Sequence, residues 1–154
     1  MSSFSIHPLD PNEIDALLHA SHSDPFRVLG PHRAGDDLVV RVFRPEARAI
    51  EIVSAADRSR VFPAERLHVE GLYQTTLPNE KLGFSYYLRI VAFDGSEQLL
   101  RDPYSYGPIM GDVDLHLFAE GNHKQLYEKF GAHIRVIGGE RGVYFAVWAP
   151  NAAQ

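Results

Sequence analysis

The sequence contains no cysteine among its 154 residues, so no disulfide framework can stabilise it. This absence fits a reducing compartment, and we expect a cytoplasmic protein. No apolar stretch approaches the roughly 18 residues that a membrane-spanning helix needs. Residues 1–6 lack the charged and apolar segments of a signal peptide. The sequence therefore predicts neither a secreted protein nor a membrane partner.

An excess of basic charge is also missing. Fifteen Lys and Arg against 20 Asp and Glu give a formal net charge of -5. Such a balance gives no electrostatic reason to bind nucleic acid. No pair of histidines has the spacing of a zinc site, and no pair of carboxylates is singled out as glycosidase groups. We predict no metal and no cofactor, while a neutral polyhydroxyl ligand stays possible.

Proline and glycine are plentiful, with 10 and 12 residues, and they predict short elements joined by turns. One helix start is clear. Asp10 can cap the helix, Pro11 suits its first position, and Glu13 completes a capping box. The helix is expected to end near Ala20, because the next residues are typical of a turn.

After residue 32 the hydrophobic period changes to two, which is typical of strands. Several short strands without helices between them predict an all-β fold, an immunoglobulin-like antiparallel β-sandwich with a short N-terminal helix. Phe84, Tyr86, Leu88 and Ile90 are expected on one face of the strongest strand. The predicted strands are 38–44, 49–53, 72–77, 84–93 and 97–100, with weaker candidates at 61–62 and 67–69.

A domain-sized repeat follows. Residues 143–152 align with 38–47 without a gap, each an apolar strand followed by a proline and an alanine. The second copy of the repeat stops soon after its strand, as in one sandwich followed by the opening of another.

Short helices are also predicted, over 112–118 and over 122–130. The predicted domains are a helical segment over 1–21, a β-sandwich over 22–108, a linker with short helices over 109–141, and the truncated start of a second sandwich over 142–154.

The densest group of special residues is the first motif, residues 22–32. His22, Asp24 and His32 could be zinc ligands, but an aspartate before a proline more often bonds local backbone in a turn. A hydrolytic triad is also disfavoured, since triads assemble from residues distant in the chain. We interpret the motif as a structural joint that ends the helix and turns the chain into the sandwich. Its apolar residues are expected to pack inward: Phe26, Val28 and Leu29.

Tyrosines are the candidates for sugar binding, because each offers a flat apolar ring and a polar tip. The alternative is that a tyrosine in a half-buried strand simply packs the core. Trp148, the only tryptophan, lies on a predicted strand and is expected to pack in the core and not to form a ligand platform. The candidate tyrosines are Tyr73, Tyr86, Tyr87, Tyr104 and Tyr106.

Four motifs together resemble the N-terminal region of bacterial 1,4-α-glucan (glycogen) branching enzymes. The first and third motifs are the narrowest signals, while the fourth is shared more widely among glucan-active enzymes. The motifs are His22-Ser23-Asp24-Pro25-Phe26 with Val28-Leu29-Gly30 and His32; Asp102-Pro103-Tyr104 with Tyr106-Gly107-Pro108; Asp114 and Leu117 through Glu120-Gly121, His123, Leu126-Tyr127-Glu128 and Gly131-Ala132-His133; and Gly142-Val143 with Phe145-Ala146-Val147-Trp148-Ala149-Pro150-Asn151-Ala152.

The resemblance implies an enzyme that cuts an α-1,4-glucan chain and rejoins it through an α-1,6 bond. It implies a first β-sandwich, a second of carbohydrate-binding type, a catalytic (β/α)8 barrel and a C-terminal β domain. Because the family's catalytic carboxylates belong to the barrel, no catalytic residue is assigned here, and the chain alone is expected to be inactive. The residues assigned to the structural motifs are His22, Asp24, Pro25, Phe26, Gly30, Asp102, Pro103, Tyr104, Trp148 and Pro150.

The implied partners are an α-glucan, either glycogen or a malto-oligosaccharide, and the barrel and second sandwich, to which the chain would dock intramolecularly. Tyr73, Tyr87 and Tyr104 are the predicted glucan-binding residues. The implied role is to hold glucan or to set the length of the transferred chain. Two alternatives stay open: a structural docking domain that binds no sugar, and an accessory module of a related debranching-type enzyme.

Overall fold

The computed structural model describes residues 9–149. The chain divides into two compact units, Met1–Gly107 and Pro108–Gln154. The motif residue Pro150 and the end of the repeat lie outside the described residues. No helix within residues 9–149 is long and apolar enough to cross a membrane.

Helix α1 (Pro11–Leu18) begins as the sequence predicts. The Asp10 side chain accepts a hydrogen bond from the Asn12 backbone N–H at 2.8 Å. Glu13, the expected partner in a capping box, instead forms an ion pair with Arg27 at 3.2 Å. The helix ends two residues earlier than expected, and Ala20 follows in a left-handed conformation with φ of 53°.

Eight strands of the first unit form two four-stranded sheets, and every strand pair in them is antiparallel. The first sheet has the order β1-β2-β6-β5 and the second β4-β3-β7-β8. The predicted antiparallel β-sandwich with a short helix is confirmed. The strands are β1 (Gly30–Ala34), β2 (Asp37–Phe43), β3 (Ala47–Ser54), β4 (Val61–Pro63), β5 (Glu65–His68), β6 (Leu72–Leu77), β7 (Tyr86–Ala92) and β8 (Glu97–Leu100).

The main core lies between these two sheets. Alternate residues of β7 point into it, as the period of two predicts, with Phe84 packed at its margin. Burial of this apolar surface is the main favourable term in folding the unit. The buried residues of the core are Leu38, Val40, Val42, Tyr73 and Leu77 from the first sheet and Ala47, Ile50, Ile52, Tyr86, Leu88 and Ile90 from the second.

A second apolar cluster covers the outer face of the first sheet. Leu17 of α1 packs there with Val28 and Leu29 of the first motif, against Leu72 of β6. Val39 is also fully buried although it points away from the main core. The first sheet is therefore buried on both faces. Within residues 9–107, no helix lies over the outer face of the second sheet.

The second unit contains helix α2 (Asp112–Ala119) and an antiparallel hairpin of β9 (Gly131–Ile137) and β10 (Glu140–Ala146). The prediction of a helix over 112–118 is confirmed. The predicted helix over 122–130 is wrong, since that segment holds only a 3-10 turn, Leu126–Glu128. Asn122 closes α2 instead of starting a helix: its N–H donates to Leu117 O, and Gly121 N–H to Phe118 O, as in a Schellman motif.

Candidate functional site

The two histidines of the first motif bond to local backbone, whereas the Asp24 side chain makes no capping hydrogen bond to the turn that follows it. Pro25–Arg27 is a 3-10 turn, and the Asp24 N–H donates to His22 Nδ1 at 3.0 Å. His32 donates from Nε2 to Val28 O at 2.9 Å, and burial lowers the pKa of this histidine. Within residues 9–149 no group of three or more His, Cys, Asp or Glu side chains is arranged to hold a metal ion. The first motif is arranged as a turn.

The second motif meets the first in space. The rings of Phe26 and Tyr104 lie edge to face, with centroids 5.0 Å apart. Gly30 lies directly against Tyr104: a Cβ at this glycine would lie 2.9 Å from both Tyr104 Cβ and Tyr104 O. Val28 and Leu29 are buried as expected, but Phe26 is only half-buried, because its ring packs against Tyr104 at the edge of the cluster.

Asp102 fixes the second motif to the core. Its side chain is 2% exposed, and Oδ2 accepts a hydrogen bond from the Tyr86 hydroxyl at 2.6 Å. Oδ1 accepts from the Tyr104 N–H at 3.0 Å, while Pro103 begins a 3-10 turn. Burial raises the pKa of Asp102. The carboxyl group therefore ties strand β7 to the residue that contacts the first motif.

Of the predicted glucan-binding residues, Tyr73 has no open ring face. It is 1% exposed, and its hydroxyl donates to Ala47 O at 2.6 Å. A buried ring cannot stack on a sugar, so the structure removes Tyr73 from the candidates. Tyr104 is half-buried: Phe26 packs edge-on against its ring, and Gly30 lies against its Cβ and backbone.

Tyr87 lies on β7 and points away from the main core. Two guanidinium groups lie over its ring, with Cζ of Arg101 at 3.9 Å and Cζ of Arg58 at 4.3 Å from the centroid. No sequence pattern indicates these arginines, because Arg58 lies in a loop and Arg101 follows β8. Tyr86 is buried, and Tyr106 is half-buried at the end of the second motif.

Trp148 does not occupy the expected core position. It is 63% exposed, and β10 ends at Ala146, before this residue. Its ring packs edge-on against Phe118 of α2, with centroids 4.9 Å apart. In the second unit the tryptophan therefore lies at the margin of a small aromatic cluster, in which Phe118 also contacts Phe130.

Asp114 organises the polar side of the second unit. Its carboxylate accepts hydrogen bonds from His123 Nε2 at 3.0 Å and from the Gly111 N–H at 3.3 Å, and pairs with Lys129 Nζ at 3.0 Å. The bonds from His123 and Lys129 lower the pKa of Asp114 to about 2. Third-motif residues thus link α2 to the segment before the hairpin.

Acid is expected to weaken this link in a defined pH window. The folded pKa of Asp114, about 2, lies below the ordinary 3.8, so its stabilising effect is present above pH 3.8 and is lost as the pH falls toward 2. An NMR titration of the Asp114 side-chain carbon should give a midpoint near 2 in the wild type. Lys129→Met should raise that midpoint, whereas a wild-type midpoint of 3.8 would contradict the link.

Comparison with known proteins places these motifs in one family. The family model described as alpha-1,4-glucan branching enzyme GlgB, N-terminal domain, matches residues 10–104. The 1,4-alpha-glucan branching enzyme GlgB of Pseudomonas putida is 46% identical over 143 residues, which are 92% of this chain and 19% of that protein. That of Paramagnetospirillum magneticum is 41% identical over 143 residues, 93% of this chain and 18% of that protein. The chain thus spans about a fifth of the length of these curated relatives.

Among solved structures, a pullulanase from Paenibacillus barengoltzii, in complex with maltohexaose and alpha-cyclodextrin, matches 61% of this chain and 19% of that chain. The TM-score is 0.35 and the identity 17%.

Proposed function

Because the chain belongs to the family of GlgB N-terminal domains, we propose that it is the accessory N-terminal module of a cytoplasmic 1,4-α-glucan branching enzyme. The observation that carries the proposal is the family match over residues 10–104. In this proposal the complete enzyme transfers an α-1,4-glucan segment into an α-1,6 branch. Its catalytic groups lie outside this chain, which by itself is inactive.

We propose that the module holds glucan for the enzyme. The donor of a branching reaction is a long polymer, so a second contact on the same polymer raises its effective concentration at the active site. Even weak binding is then useful. A module of this kind needs an accessible surface with ring faces and hydrogen-bond donors, and it needs no catalytic group.

The outer face of the second sheet is the surface that fits this role. The corresponding face of the first sheet is covered by α1 and the first motif, which bury Leu72. Tyr87 lies on the second sheet, and Arg58 and Arg101 beside it carry N–H donors suited to sugar hydroxyls. Tyr104 packs instead with the cluster on the first sheet. Of the tyrosines predicted to bind glucan, Tyr87 is therefore the one that this surface retains.

A titration tests the proposal. Maltoheptaose added to the isotopically labelled chain should shift backbone resonances of the second sheet, because its outer face carries the contact. A cello-oligosaccharide of the same length is the matched control, since its β-linkages present the same sugar rings in a different shape. The absence of shifts at millimolar maltoheptaose would refute glucan binding by this chain.

A docking role is the second candidate, and one observation favours it. Apolar side chains lie exposed on one face of the hairpin of β9 and β10, where Ile134 pairs with Val143 and Ala132 with Phe145. Contiguous exposed apolar surface is typical of interfaces. If docking is the role, replacing Ile134, Val143 and Phe145 by serine in the complete enzyme should change its stability or product chain lengths while affinity for soluble glucan is unchanged. Unchanged stability and unchanged products would count against docking.

A further inference from the structure

Phe93 is the one exposed aromatic side chain among residues 9–107. It is 63% exposed and lies in the turn between β7 and β8. Phenylalanine usually packs inside a protein, although single exposed apolar residues are common. The exposure of Phe93 alone therefore indicates no binding site, and the groups around its ring have to be considered.

A guanidinium group is held over this ring. Cζ of Arg66 lies 5.8 Å from the Phe93 centroid and 5.3 Å from the Tyr73 centroid. Arg66 Nη2 donates to Ala47 O at 3.2 Å, the same carbonyl that accepts from the Tyr73 hydroxyl at 2.6 Å. Because arginine has five N–H donors, this anchoring bond leaves others for a ligand.

Two strand irregularities converge on the same place. The register of β3 against β7 shifts between Ala47 and Ala49, opposite the end of β7 that leads to Phe93. The register of β5 against β6 shifts between Arg66 and His68. Where such a shift is a β-bulge it redirects side chains, and β-bulges are over-represented at sheet edges and next to active sites. One irregularity thus adjoins each member of the Phe93–Arg66 pair.

We infer that Phe93 and Arg66 form a contact for a glucose ring of an α-1,4-glucan. The apolar face of the pyranose packs on the exposed ring of Phe93, and its hydroxyl groups accept hydrogen bonds from Arg66. This inference rests on the proposed glucan-holding function and adds a second contact to it, at the end of β7 and next to Arg66 of β5. The net charge of the chain is negative, so the protein does not attract anions in general, and this is consistent with a neutral polyhydroxyl ligand.

The distances favour Phe93 over Tyr87 as the stacking ring. Over Tyr87, guanidinium carbons lie 3.9 and 4.3 Å from the centroid, near the roughly 3.5–4.0 Å of van der Waals contact. These two guanidinium groups already pack on the Tyr87 ring, so a sugar at that place contacts their N–H donors and does not stack on the ring. Cζ of Arg66 also lies over the Phe93 ring, but at 5.8 Å from the centroid it is well beyond van der Waals contact with it.

Calorimetric titration of the whole chain with maltoheptaose tests the inference. Phe93→Ala should weaken binding about tenfold, because the aromatic contact is lost. Phe93→Trp should retain binding, since it keeps a flat ring at the same place. Leu82→Ala is the matched control: Leu82 is 60% exposed and lies in the loop at the other end of β7, so affinity should not change. Circular dichroism of each variant shows whether it is folded.

The outcomes separate this inference from the proposed function. If the wild type binds and Phe93→Ala is unchanged, the Phe93 site is refuted while glucan binding stands; a loss in Tyr87→Ala would then place the contact at Tyr87. If the wild type shows no binding, the glucan-holding function itself fails. Weaker binding in Phe93→Ala with retention in Phe93→Trp supports both.

Discussion

Asp102→Ala is expected to lower the free energy of unfolding of the first unit by about 2–5 kcal/mol. The carboxyl group accepts from two donors, the hydroxyl of Tyr86 and the N–H of Tyr104, and it is almost completely buried. Removing it leaves the buried Tyr86 hydroxyl without this acceptor and opens a small cavity. Urea unfolding followed by far-UV circular dichroism measures the change.

Tyr86→Phe provides the control for Asp102, because it removes only the hydroxyl and keeps the ring in the core. Combining both substitutions completes a double-mutant cycle, in which the pair is expected to be strongly non-additive. Additive losses, or a loss below about 1 kcal/mol for Asp102→Ala, would show that the bond contributes little to stability.

Gly30→Ala is expected to cost about 2–4 kcal/mol, because it combines backbone strain with overpacking. Gly30 has φ of 88°, and its Cβ would lie 2.9 Å from Tyr104 Cβ. The contact between the two motifs would have to open to admit one methyl group. The same urea unfolding experiment measures this loss.

Gly95→Ala is the matched control for Gly30. Gly95 has φ of 86°, almost the same conformation, but nothing lies within 4 Å of a Cβ placed there. It therefore reports the backbone strain alone, and the difference between the two variants is the steric contribution of Tyr104. Equal losses would contradict the close contact between the first and second motifs.

The sequence could predict elements whose cause is local. Asp10 caps α1, and the alternation along β7 assigns its core face correctly, because capping and a period of two are read from neighbouring residues. The role of the first motif as a turn also follows from its prolines and glycine. Strand β1 has no such local signal, because Gly30 and Pro31 are typical of a turn and only pairing with β2 makes the segment a strand.

The sites were harder to predict, because burial depends on distant segments. Leu72 and Tyr73 are both buried, since β6 has the main core on one face and α1 on the other. The alternation of side chains along β6 therefore does not reveal that Tyr73 is inaccessible. The surroundings of Phe93 depend on Arg66, 27 positions earlier in the chain, and on the two register shifts. Neither the contact with Arg66 nor the register shifts can be read from the spacing of neighbouring residues in the sequence.

The position of the only tryptophan gives the two units separate optical signals. Trp148 lies in the second unit, edge-on to Phe118, whereas the first unit contains tyrosine and phenylalanine alone as its aromatic chromophores. Fluorescence excited at the red edge of indole absorption should therefore follow the second unit, while circular dichroism is dominated by the strands of the first. One denaturation series with both detectors can resolve two transitions, and it assigns the effect of a substitution at Asp102 or Asp114 to the unit in which it lies.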